Sequence, residues 1–214
     1  MLSHHEMVTE RDVPDVIRKR LVADTAEWQR LGLTTARLRS LTRSGELARV
    51  WHGVYSTRPA VEWAKVNPAR GHALLVMAAC AAVGRDSTAS HQSAALIHGL
   101  DLFPAAPNIV FLTRPPTRRS GRRRSDGLFF HTAELPDEHV TRIFGMRVTT
   151  VARTVVDLAR ASSFQSAVVT ADSALRADLT SKAALCAVCA ACAGWPGIRQ
   201  ARRAVEFSDP RAED

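Results

Sequence analysis

The stretch "DTAEWQRLGLTTARLRSLTRSG", residues 24–45, constrains the fold more than any other part of this chain, because its helix starts and stops are legible residue by residue. Asp24 suits an N-cap, and Glu27 three residues on can reach back to it as in a capping box. The helix that starts there is short, since Gly32 offers the left-handed conformation that closes a helix. Thr34 then caps a second helix through "TARLRSLTRS", which Gly45 stops. Two helices joined by a three- to four-residue turn containing glycine form a helix-turn-helix. An earlier helix is expected from Pro14 through "DVIRKRLVA", with Val16, Ile17 and Leu21 as its apolar stripe.

The second helix of the pair has two faces. At roughly 100° per residue, Leu38 and Leu41 fall at about 200° and about 140° from Ala36, whereas Arg39, Ser40 and Arg43 lie within about 60° of it. One side packs, and the other is basic and small. The next stretch, "ELARVWHGVYS", reads as two short strands around Trp51, His52 and Gly53, a hairpin of the kind that forms a wing. Residues 1–58 therefore read as a winged helix-turn-helix domain. On that scaffold the second helix of the pair enters the major groove of double-stranded DNA, where arginine pairs bidentately with guanine and serine or threonine reaches bases or phosphates. The candidate DNA-binding residues are Thr34, Thr35, Arg37, Arg39, Ser40 and Arg43 on the helix. Arg49, Trp51, His52 and Tyr55 on the wing are candidates for the backbone or the adjacent minor groove. The competing assignment is a protein-binding module with a solvated basic face.

From Pro59 to Pro68 clear periodicity is lost, which predicts a linker. A second domain is expected over 69–207, followed by a tail at 208–214. "GHALLVMAACAAV" reads as a helix, and "DSTASHQSAALIHGL" as another, capped by Ser90 and stopped by Gly99. "NIVFLT", "GLFFHT" and "MRVTT" read as strands. Thr150 caps the helix "VARTVVDLAR", in which Val151, Val155, Leu158 and Ala159 recur at helical spacing, and beyond Ser162 the chain is helical apart from "GWPG". The whole is an α+β protein: a winged helix-turn-helix followed by a mixed α/β domain with a small central sheet and a helical C-terminus.

The net charge is +8 and the pI about 10.3, a balance that favours a polyanionic partner. Most of it sits in one place. Without Arg114 and the five arginines of "RRSGRRRSDG" (Arg118, Arg119, Arg122, Arg123 and Arg124) the excess falls to +2. These five are further DNA-binding candidates, since arginines that displace counterions from phosphates raise affinity without reading sequence. The same run also fits a solvated hairpin connection between two strands.

Other functions are disfavoured by what the sequence lacks. No basic start precedes a 7 to 15 residue apolar run, and "ALLVMAACAAV" at 73–83 is too short to span a bilayer, so a soluble, cytoplasmic chain without a membrane partner is expected. Four cysteines without an export signal read as reduced thiols. Cys186, Cys189 and Cys192 lie three apart, but a ferredoxin-like arrangement would want a cysteine at 196, which is Pro196; they read as small core residues, and no metal or cofactor is expected. His91 and His98, seven apart on one helix, have no acidic or cysteine ligand at metal spacing and take a packing or capping role. Asp157 and Asp172 could pair as carboxylates, yet nothing nominates a partner base or nucleophile. The acidic-x-Lys element of restriction-type nucleases is missing, since Lys19, Lys65 and Lys182 follow Ile17, Trp63 and Thr180 two residues earlier. The chain is therefore not expected to be an enzyme. Catalysis in the second domain would need a substrate-sized cleft lined by Asp157, His91 or His98.

Three stretches in order, "RSGELARVWHGVYS" at 43–56, "ASHQSAALIHGL" at 89–100 and "VTTVARTVVDLAR" at 148–160, resemble the AbiEi-type antitoxin and transcriptional-regulator family of actinobacteria over nearly the whole chain. The resemblance implies an N-terminal winged helix that binds DNA, a second α/β domain, and a cytoplasmic autorepressor of a toxin-antitoxin operon, linked functionally to a nucleotidyltransferase-like toxin. It assigns no site in the second domain. Many similar chains continue past a stretch like "FSDPRAED" into a very-short-patch-repair-like endonuclease domain; if the chain is complete at Asp214, the nuclease activity of such relatives does not carry over, and the missing acidic-x-Lys element agrees. A symmetric operator would favour a homodimer, though no heptad announces one. The alternative expectation is a remnant of such a winged-helix endonuclease that only binds DNA or a partner protein.

Overall fold

A computed structural model describes residues 22–84, 86–103, 109–116, 123–125, 127–209 and 211, with 123–125 described by backbone alone. The architecture is α+β, and the chain divides into two compact units, Met1–Val83 and Gly84–Asp214.

In the first unit, strand β1 (Val22–Asp24) leads directly into helix α1 (Thr25–Arg30), and a turn through Gly32 leads to helix α2 (Thr35–Ser44). Strands β2 (Leu47–Trp51) and β3 (Val54–Thr57) form an antiparallel hairpin, and β3 is central, pairing on its other side with β1. The helix expected over 15–23 is thus replaced at its end by a strand. Val22 and Ala23 take extended partners on β3, a tertiary pairing that overrides local helical spacing. Residues 14–21 of that expectation lie outside the described residues.

The caps read at Asp24, Thr34 and Gly45 form, whereas Ser90 stands at the start of the helix His91–His98 without a side-chain cap hydrogen bond. Asp24 accepts the Glu27 backbone N–H at 2.7 Å, Thr34 accepts that of Arg37 at 3.2 Å, and Gly45 closes α2 in the left-handed conformation at φ 81°. Leu38 and Leu41 are buried with Trp28, Leu33 and Leu47 in one cluster.

The expected linker is instead helix α3 (Arg58–Lys65), followed by α4 (Pro68–Val83). Pro59 in the first turn starts α3 rather than breaking it, because an N–H at that position would have no intrahelical partner anyway. Helix α4 packs on α3 and on all three strands of the first sheet, so the first unit extends to Val83 rather than ending at 58.

In the second unit, six strands run in the order β6-β7-β5-β4-β9-β8, comprising β4 (Thr88–Ala89), β5 (Val110–Arg114), β6 (Arg123–Ser125), β7 (Leu128–Thr132), β8 (Val140–Ile143) and β9 (Met146–Thr149). Helix α5 (His91–His98) follows β4, and α6 (Val151–Ala161), α7 (Phe164–Arg176), α8 (Lys182–Ala191) and α9 (Ile198–Phe207) end the unit. The arginine run is not a hairpin joining β5 to β7. Those two strands are parallel neighbours, which no tight turn can connect, and it is β6, within the run itself, that pairs antiparallel with β7.

The helical core is alanine-rich, with Ala159, Ala167, Ala171, Ala174, Ala201 and Ala204 fully or almost fully buried, which lets the helix axes approach closely. Cys189 and Cys192 sit in that core, as small apolar residues do. Burial pushes the Cys189 thiol up to about 11. Among the described residues no helix is long and apolar enough to cross a membrane, and no cluster of three or more His, Cys, Asp or Glu is placed to hold a metal ion.

Candidate functional site

Helix α2 presents Thr34, Thr35, Ala36, Arg39, Ser40 and Arg43 as an exposed face opposite buried Leu38 and Leu41. Thr35 accepts a hydrogen bond from the Gln29 amide of α1 at 3.3 Å, which ties the start of the face to the preceding helix. Arg37 differs from its neighbours. At about 100° from Ala36 it stands on the flank of the helix, close to the angle of Leu41, and it is half-buried rather than outward.

The β2–β3 hairpin carries its candidates unequally. Arg49 and His52 are exposed and joined, the Arg49 Nη2 lying 2.8 Å from the His52 Nδ1, while the Arg49 Nε donates to the Trp51 carbonyl at 3.3 Å. Gly53, at φ 70°, makes the turn that folds these groups back on one another. Trp51 is half-buried, and Tyr55 packs against the leucine cluster, so its ring belongs to the core as much as to the surface. Arg118, Arg119 and Arg122 lie outside the described residues. Arg123 and Arg124 are placed by their backbone on β6.

The second unit contains a cleft of about 540 Å³ that sequence reasoning did not assemble. Its lining includes His91 at the start of α5, His131 on β7, Arg153, Asp157 and Arg160 on α6, and Trp195 in the turn between α8 and α9. On α6, Asp157 stands four residues after Arg153 and three before Arg160, so all three share a face. Its Oδ2 accepts from the Arg153 Nε at 2.7 Å and its Oδ1 from the Arg160 Nη1 at 2.9 Å. Arg153 and Asp157 are each 2% exposed. Arg153 also meets the His139 Nδ1 at 3.1 Å, and Arg160 donates through its Nε to the Pro196 carbonyl at 3.0 Å. Both guanidinium groups lie over the Trp195 ring, at 5.0 and 4.7 Å from its centre. Burial, with the Arg153 charge second, holds the His139 imidazole below its ordinary pKa.

On another part of the lining the rings of His91 and His131 are stacked, 3.6 Å apart and 8° from parallel. His91 takes φ 50°, the left-handed region that a residue with a side chain rarely adopts. The indole is set by the "GWPG" turn, where Gly197 has φ 79° and no room for a Cβ, which would collide with the Arg160 carbonyl.

Of the second-domain residues weighed in the sequence, His91 and Asp157 thus come into one cleft, and His98 and Asp172 do not line it. His98 holds the Thr149 carbonyl through Nε2 at 2.7 Å, and Asp172 accepts the Asp209 backbone N–H at 2.8 Å, both structural tasks. Asp157 meets two guanidinium groups, which suits it to anchoring arginine rather than to abstracting protons. His131, Arg153, Arg160 and Trp195 were missed. The signal for two of them was present in "ARTVVDLAR", where three charges share one face of an otherwise apolar helix.

No family model matches this chain, and no curated protein matches its sequence. Among solved structures, the Rv2827c protein from Mycobacterium tuberculosis is similar in fold, with a TM-score of 0.55 at 17% identity, the alignment covering 94% of this chain and 76% of that one. At that identity the likeness shows the fold alone.

Proposed function

We propose that this chain is a sequence-specific DNA-binding transcriptional regulator of the antitoxin type, with residues of the first unit acting as a winged helix. One observation carries the reading: α2 follows α1 through a short glycine turn, buries its leucines, and turns Arg39, Ser40 and Arg43 outward with Thr34 and Thr35 at its exposed start. That face has the shape and chemistry of a recognition helix, its long donors able to pair with guanine and its short hydroxyls with phosphates or bases. Arg49 and His52 at the tip of the hairpin are the wing groups in position to meet the backbone. Arg37, Trp51 and Tyr55, partly withdrawn into the fold, act mainly by holding these elements. The antitoxin assignment, an autorepressor in a cytoplasmic toxin-antitoxin system with a nucleotidyltransferase-like toxin, rests on the three ordered sequence stretches.

The test is a gel-shift titration against the DNA upstream of the chain's own gene. Replacing Arg39 and Arg43 together with alanine is expected to abolish discrimination between that DNA and random duplex, while the fold persists because both side chains are exposed. A double variant that keeps the wild-type preference would remove the recognition-helix assignment. Neutralising the arginines of 118–124 is expected to weaken binding uniformly across sequences and to flatten the dependence of log affinity on log salt. An unchanged slope would show that the run touches no phosphate.

A further inference from the structure

The cleft in the second unit has a composition that the DNA-binding reading does not use. We propose that it binds a phosphate monoester of about the size of a nucleoside monophosphate, with the phosphoryl oxygens held by Arg153 and Arg160.

The arginine donors of the cleft outnumber their acceptors. A guanidinium carries five N–H groups in a fixed fork. Arg153 gives its Nε to Asp157 and one Nη1 hydrogen to His139, and Arg160 gives its Nε to the Pro196 carbonyl and one Nη1 hydrogen to Asp157. About three N–H groups on each arginine remain without an acceptor among the described residues. Two cations face one carboxylate, so this part of the lining keeps a positive charge even with neutral imidazoles. A ligand carboxylate, with two oxygens, can accept only part of this set. A phosphoryl group has three strong acceptor oxygens and close to two negative charges, which matches both the donors and the charge.

Preorganisation supports the same ligand. Asp157 fixes the two guanidinium groups from below, the Trp195 ring packs against them, and Gly197 locks the turn that carries the indole. The arginines are therefore held before any ligand arrives, which reduces the ordering that binding must bring about. The left-handed backbone at His91 is a conspicuous strain at the cleft; it holds that imidazole stacked on His131 and places two further rings on the lining. A volume of about 540 Å³ lies within the usual range for small-ligand sites and exceeds what bare phosphate fills. The cleft thus leaves room beside the phosphoryl group for the organic part of the ester, whether a free mononucleotide or the phosphorylated 5′ end of a short strand.

Isothermal titration of the full chain without duplex DNA tests this, using AMP, inorganic phosphate, adenosine, and a trinucleotide with and without its 5′-phosphate. AMP is expected to bind, inorganic phosphate more weakly, and adenosine not at all. Binding of the 5′-phosphorylated trinucleotide but not its hydroxyl counterpart identifies a strand end as a ligand; binding of AMP alone identifies the free nucleotide. R160Q is expected to weaken AMP about 10- to 100-fold, the loss of a charge-assisted contact, and R160K to recover part of it. Should R160Q fail to fold, the wild-type spectrum decides, since AMP must then shift the Nε–H signals of Arg153 and Arg160 and the Trp195 indole N–H. No binding of AMP or the phosphorylated trinucleotide, equal binding of adenosine and AMP, unchanged affinity in folded R160Q, or shifts confined to the outward face of α2 would each overturn the proposal. Because no duplex is present, the outcome stands apart from that of the operator titration.

Discussion

Two groups of arginines in this molecule do opposite things with the same side chain. On α2, Arg39 and Arg43 project into water from a helix whose other face supplies the packing. On α6, Arg153 is buried and Arg160 nearly so, and both are fastened to Asp157 and to the Trp195 ring. The first pair is dispensable to the fold and free to meet a partner. The second is part of the fold, and the protein carries the desolvation of its charge only because Asp157 is there. Exposure, more than residue type, separates a charged face left to solvent from charges built into a core.

The largest test of that contrast is Asp157→Ala. It leaves Arg153 buried without its carboxylate and should destabilise the second unit by about 4 kcal/mol, whereas Arg43→Ala should stay within about 0.5 kcal/mol of the parent. Urea unfolding measures both, and comparable losses at the two sites would break the comparison. A smaller contrast comes from two glycines with nearly equal backbone angles, Gly197 at φ 79° and Gly45 at φ 81°. A Cβ at 45 enters open space and carries only the backbone penalty, about 1 kcal/mol, while one at 197 also meets the Arg160 carbonyl and should lose about 3 kcal/mol or more. Equal thermal shifts for the two alanine variants would show that the indole turn is not locked against α6.

The smallest effect is in pH. Burial lowers the pKa of His72 in the first unit and of His98 and His139 in the second, each below the ordinary 6.5. A folded-state pKa below the unfolded one means that the unfolded chain binds protons first, so the stability these groups contribute is present above pH 6.5 and is lost as pH falls through the folded values. The thermal midpoint should therefore drop between about pH 7.5 and about pH 5.5, and less steeply in a His98→Gln variant, whose amide still donates to the Thr149 carbonyl. A midpoint that rises on acidification would contradict the assignment.

The legibility of the sequence divides along the same line. Asp24, Thr34, Gly45 and Thr150 announce helix ends through interactions a few residues long, and all four act as caps. The buried leucines of α2 followed from helical spacing alone. By contrast, Val22–Asp24 is a strand because of partners about thirty residues away, and the parallel pairing of β5 with β7 depends on sheet order, which periodicity does not encode. The cleft joins residues from His91 to Gly197, so no local pattern could assemble it. Its one local trace was a run of three charges on one face of α6, and the apolar stripe of the same helix masked it.

The position of β6 has a consequence for the border of the sheet. Arg123 and Arg124 stand on the last strand of the six-stranded order, three residues long, where the sheet would otherwise offer open backbone groups to any extended chain. Short strands and positive charge are the means by which proteins keep such borders from recruiting copies of themselves. At three residues, β6 gives that border little backbone for another extended chain to pair with.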